Sequence, residues 1–119
     1  MLVPLNVGLY VSRDPADFRK QSDGLCGLVR NCLGREPSDQ CLYIFFNRRR
    51  DQVKIVYYSP GGYCLWWKRL ESGSFAGIDV EGSLPYVTIT STELLDLLGN
   101  KTVSGRGFPG FSPIYATSK

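Results

Sequence analysis

Histidine is absent from all 119 residues, and cysteine occurs only four times, at Cys26, Cys32, Cys41 and Cys64. The first absence removes the commonest general base and the commonest zinc ligand. The second leaves an all-cysteine site as the only zinc centre the chain could build, and no pair has the Cys-x-x-Cys spacing such sites use. No metal and no cofactor is therefore expected, and the thiols read as reduced core filler of a cytoplasmic protein. Long apolar runs are missing too: nothing approaches the roughly 18 residues of a membrane span. Residues 1–11 lack the basic leader and apolar stretch of a signal peptide. What remains is a globular composition, 43% hydrophobic and 21% charged, which argues against wholesale disorder. At 13.3 kDa the chain fits one domain and is too small for a multi-part catalytic domain.

Positive charge is unevenly placed. Residues 47–69 contain Arg48, Arg49, Arg50, Lys54, Lys68 and Arg69 against the single acid Asp51, an excess of five; the rest holds eight basic and ten acidic residues, a deficit of two. This asymmetry suits a polyanionic partner, either nucleic acid or an acidic protein face, and equally fits a solvated hairpin.

The pattern predicts an α+β fold. Val7–Val11 reads as a short first strand. Asp14-Pro15 has the form of an N-cap and first helical residue. Apolar residues at Phe18, Leu25, Leu28, Val29, Cys32 and Leu33 then follow helical spacing, so one long helix is expected over about 15–33, stopped at Gly34. Gly24 and Gly27 inside it each cost about 1 kcal/mol against Ala, explained either by close packing on a sheet or by a break near Ser22-Asp23-Gly24. Residues 41–46, 53–59 and 63–70 read as an antiparallel meander, to which short strands such as 7–11 and 86–90 would add as edges. Thr90-Ser-Thr-Glu93 has the form of a capping box and opens a short helix over about 91–98. Core candidates are Leu25, Leu28, Val29, Leu42, Ile44, Ile55, Tyr57, Leu65 and Trp67. Residues 1–100 would form the single domain and 101–119, rich in Gly, Ser and Pro, a tail.

The arginine run falls on the first hairpin connection, with Tyr58, Trp66 and Trp67 on the strands behind it. Arginine binds phosphate in a bidentate manner, and aromatic rings on a sheet stack unpaired bases for about 1–3 kcal/mol each. Nucleic-acid binding is thus open to this block, as is the plainer reading of core aromatics and a solvated turn. Nucleolytic chemistry is not expected. Two-metal nucleolytic catalysis needs carboxylates converging on both ions, and Asp17 and Asp23 are better explained by helix-end electrostatics and local pairing.

Asn47-Arg-Arg-Arg-Asp51, Lys54-Ile55 and Gly62-Tyr-Cys-Leu-Trp-Trp-Lys-Arg-Leu-Glu71 in tandem resemble the small accessory proteins, often labelled TnpB, of transposons of the insertion sequence 66 type. Asp17-Phe-Arg-Lys20 with Asp23-Gly-Leu25 is similar to that family's Asp-Met-Arg-Lys and downstream Asp-Gly-Leu. The likeness covers about residues 7–99. Gln21-Ser22 and Ala76-Gly77-Ile78 depart from the family pattern. The resemblance implies a non-enzymatic accessory factor for DNA transposition that binds transposon DNA, the transposase of the same element, or both. The expected binding residues are Arg48, Arg49, Arg50, Lys54, Lys68 and Arg69, with Trp66, Trp67 or Tyr58 as the aromatic component and Arg19 and Lys20 as an extension. The alternative is a protein–protein adaptor without nucleic-acid contact, its aromatic and arginine side chains serving as a binding hot spot.

Overall fold

The computed structural model describes residues 7–99 and 103–104. In chain order its elements are β1 (Leu9–Ser12), α1 (Ser22–Asn31), β2 (Leu42–Phe46), β3 (Gln52–Ser59), β4 (Gly62–Arg69), β5 (Ile78–Asp79), β6 (Tyr86–Thr88), α2 (Ser91–Leu98) and β7 (Val103–Ser104). The fold is α+β. Five strands form one sheet in the order β4-β3-β2-β1-β6, and β5 pairs with β7 in a two-stranded one.

The meander is present as expected, with Ile44 opposite Ile55 and Ile55 opposite Trp66. β1 is not an edge strand, however. It lies between β2 and β6 and pairs with β2 in parallel, Leu9 opposite Leu42, so the sheet is mixed. A parallel pair needs a long crossover, and α1 with its flanking segments supplies it.

Each face of the sheet is covered by one helix. Leu9, Val11, Leu42, Ile44, Phe46, Val53 and Ile55 pack with Leu94 and Leu97 of α2 and with Phe75. Tyr43, Phe45 and Val56 on the opposite face pack with Leu25, Val29 and Leu33. All five residues of β2 are buried because the strand is covered on both sides. Leu25, Val29, Leu42, Ile44 and Ile55 are buried as expected, whereas Leu28, Tyr57 and Leu65 are half-covered. Trp67, expected in the core, is 57% exposed.

α2 has the expected limits and the expected cap: Thr90 Oγ1 accepts from the Glu93 amide at 3.1 Å, and Glu93 Oε1 accepts from the Thr90 amide at 2.8 Å. α1 corrects the sequence reading. It starts at Ser22 rather than about 15 and ends at Asn31. Three sets of bonds hold residues 15–20 out of the helix. The Ala16 amide donates to the Phe46 carbonyl at 2.9 Å. Asp17 Oδ1 accepts from the Arg19 amide at 3.0 Å, a local turn that competes with the helical ladder. Lys54 Nζ donates to the carbonyls of Phe18 and Lys20, at 3.1 and 2.9 Å, which a helix would have turned towards its own amides.

The two helical glycines follow from that shorter helix. A Cβ at Gly24 would stand 2.8 Å from Lys20 Cβ, so the bare backbone admits the segment that precedes the helix; a Cβ at Gly27 would meet nothing within 4 Å. Close packing on the sheet explains neither. The expected tail over 101–119 lies outside the described residues apart from Val103–Ser104, which pair in parallel with Ile78–Asp79.

Candidate nucleic-acid interface

The turn between β2 and β3 decides where each arginine goes. The Arg50 amide donates to the Asn47 carbonyl at 3.0 Å, closing the turn over Arg48 and Arg49. Asn47 locks it: Nδ2 donates to Asp51 Oδ1 at 2.6 Å, and Oδ1 accepts from the Gln52 amide at 2.9 Å. Arg48 and Arg49 occupy the tip and are exposed. Arg50 adopts a left-handed backbone, φ 58°, which turns its side chain the other way. Its Nε and Nη2 donate to the carbonyls of Phe75 and Ala76 at 3.3 and 2.6 Å, and its guanidinium stacks 4.2 Å from the Phe46 ring centroid. Burial lowers its pKa. Arg50 ties the 70–77 segment to the sheet.

Arg48 and Arg49 instead face the segment before α1. Together with Asp17, Phe18, Arg19 and Gln52 they line an open cleft of about 700 Å3. Arg19 is 91% exposed and forms an ion pair with Asp17 at 2.6 Å. That pairing holds the Asp17 carboxyl down to about 2, so it is ionised at every working pH. Among the described residues no ion pair involves Arg48, Arg49 or Arg69.

The aromatic wall of the cleft continues onto the sheet. Gln52 is opposite Arg69, and its Oε1 accepts from Trp67 Nε1 at 2.9 Å. Lys54, opposite Trp67, is only 3% exposed. Its ammonium lies 5.0 Å from the Phe18 ring centroid and 5.7 Å from that of Trp67, a cation between two rings. Burial lowers its pKa. Lys54 and Lys20 therefore support the cleft from beneath, Lys20 through its carbonyl and through its approach to Gly24.

The remaining expected residues lie elsewhere. Trp66 points to the opposite face of the sheet and packs on the α2-side core. Lys68 shares that face and donates from Nζ to the Leu98 carbonyl at 3.3 Å, at the end of α2. Tyr58 pairs edge-on with Tyr63, ring centroids 5.2 Å apart, at the far end of the β3–β4 hairpin. The structure thus places Arg19, Arg48 and Arg49 in the lining of one cleft, sets Trp67 and Arg69 beside it through Gln52, and leaves Trp66, Lys68 and Tyr58 outside it. Sequence reasoning missed Gln52 and Phe18. Gln52 was legible as the first residue of β3, two positions from Lys54 and hence on the same face; the place of Phe18 depended on the late start of α1.

A family model described as IS66 Orf2 like protein matches residues 7–103. Two curated proteins of Sinorhizobium fredii are similar to the chain, each described as an uncharacterized protein. The protein y4jC is 34% identical over 67 residues, 56% of this chain and 57% of its own length. The protein y4hO is 29% identical over 93 residues, 78% of this chain and 79% of its own. The matched part of the chain thus spans little more than half the length of the first relative. No solved structure matches.

Proposed function

The chain belongs to the IS66 Orf2-like family, accessory proteins of IS66 transposition, and from that premise we propose that it acts by binding nucleic acid of the element in the cleft between residues 15–19 and the β2–β3 turn. The observation that carries this reading is the company kept there: Arg19, Arg48 and Arg49 line one open cleft beside an exposed tryptophan, with Asp17 as its single carboxylate. Guanidinium groups read phosphate in a bidentate fashion, and a concave cationic surface raises the local concentration of a polyanion. Among the side chains lining the cleft Asp17 is the one carboxylate, and its pairing with Arg19 favours reading the role as binding.

Arg48 and Arg49 carry the phosphate contacts in this reading, and Arg50, Lys54 and Lys20 hold the surface in shape. Replacing Arg48 and Arg49 together by Ala should weaken DNA binding at every sequence tested, measured by fluorescence anisotropy over a salt series. The salt slope should fall by about one for each phosphate no longer held. A double variant that binds DNA as the wild type does overturns the reading; if it also loses the transposase, the cleft is a protein-docking surface instead.

A further inference from the structure

Trp67 is the least expected feature of the cleft. An indole on a sheet face ordinarily goes under the helix that covers that face. α1 covers Tyr43, Phe45 and Val56, but it starts only at Ser22 and leaves the end of β4 uncovered. Trp67 nevertheless has a fixed place. Its Nε1 donates to Gln52 Oε1 at 2.9 Å, and the Lys54 ammonium lies over the ring, 5.7 Å from the centroid. A ring held at its edge and backed by a buried cation is preorganised, and with 57% of the residue exposed its outer face is open. β3 begins at Gln52, two residues and about 7 Å along the strand from Lys54, and the turn that carries Arg48 and Arg49 lies directly beyond it.

Bases within a duplex already have both faces stacked and cannot lie on a flat surface side chain; unpaired bases can. Resting on the reading of the cleft as a nucleic-acid site, we infer that its ligand is single-stranded DNA, an unpaired base stacking on Trp67 while Arg48 and Arg49 hold the adjoining phosphates. Phosphate contacts alone would accept either form of DNA. Trp67 is the residue that distinguishes them.

The chain has two tryptophans, so Trp66→Phe leaves Trp67 as the single indole reporter. In that background an oligothymidylate of about 15 nucleotides should quench the emission and bind more tightly than a duplex of equal length. Trp67→Ala should weaken single-strand binding about 5- to 150-fold, leave duplex binding nearly unchanged and preserve the salt slope, because the same phosphates are still held. Trp67→Phe retains a flat ring and should keep most of the single-strand affinity, which guards against mistaking a folding defect for lost stacking. Equal binding of single strand and duplex, both untouched by Trp67→Ala but weakened by substitution of Arg48 and Arg49, overturns the inference and leaves the phosphate-binding reading standing. Binding of neither form overturns both.

Discussion

Lys54 carries an ammonium group into the interior because two main-chain carbonyls and two aromatic rings replace its water. Its hydrogen-bond partners belong to the segment before α1, so the residue fixes one wall of the cleft without facing it. Replacing it by Met would keep the volume of the stem and leave the carbonyls of Phe18 and Lys20 without their donor. The expected cost is about 1–3 kcal/mol at neutral pH, read from urea unfolding. The pH dependence has a definite sign. Burial sets the folded pKa of Lys54 below the 10.5 of the unfolded chain, so the unfolded state binds more protons between those two values. Stability contributed by Lys54 therefore rises with pH through that alkaline window. The difference between wild type and Lys54→Met should grow across it, while the tyrosines and cysteines whose pKa values burial raises shift both proteins alike. At this scale the sequence shows which residues are cationic or aromatic, and strand alternation alone separates Trp66 from Trp67. It does not show that Arg50 turns inward, because that depends on one left-handed backbone angle and on carbonyls 25 and 26 residues away.

At the scale of elements, the meander and α2 were legible because their signals are local: apolar runs, turn residues and a Thr-x-x-Glu box. The start of α1 was not. Asp14-Pro15 has the local chemistry of a helix entry, but the bonds that override it come from β2 and β3, at Phe46 and Lys54. The same tertiary override separates two glycines that look alike in sequence. Gly27→Ala should stabilise the protein by up to about 1 kcal/mol, since the helix gains propensity and the new methyl meets nothing. Gly24→Ala should destabilise it, because the methyl would stand 2.8 and 2.9 Å from Lys20 Cβ and Cγ, atoms too near the backbone to swing aside. Thermal unfolding of the two single variants checks the pair. Opposite shifts support the short helix and its docked entry segment; two similar gains would mean that Lys20 does not lie against α1.

For the molecule as a whole, strand order and charge placement act together. β1 inserts between β2 and β6, and that non-local choice leaves β4 at an edge of the five-stranded sheet with its C-terminal residues beside the β2–β3 turn. Cations from three stretches, around positions 19, 48 and 69, thereby converge on one end of the sheet, where Asp14, Asp17 and Asp51 are the neighbouring acids and Asp17 and Asp51 are already engaged by Arg19 and Asn47. Such a surface repels itself. A protein that folded with no use for the site would gain by dispersing those charges, and a binding role accounts for keeping them together. Self-repulsion is screened over about 10 Å at 0.1 M salt, so it can be read without any ligand. Raising salt from about 0.02 to about 0.3 M should increase the melting temperature of the wild type more than that of Arg48→Ala/Arg49→Ala, and general salt effects cancel in the difference. At high salt the two proteins should differ by less than about 0.5 kcal/mol, because both substituted residues are exposed at the tip of a turn whose lock is made by Asn47. Identical salt dependence in calorimetry would mean that Arg48 and Arg49 do not share a field with their neighbours, and the cleft would lose its electrostatic rationale.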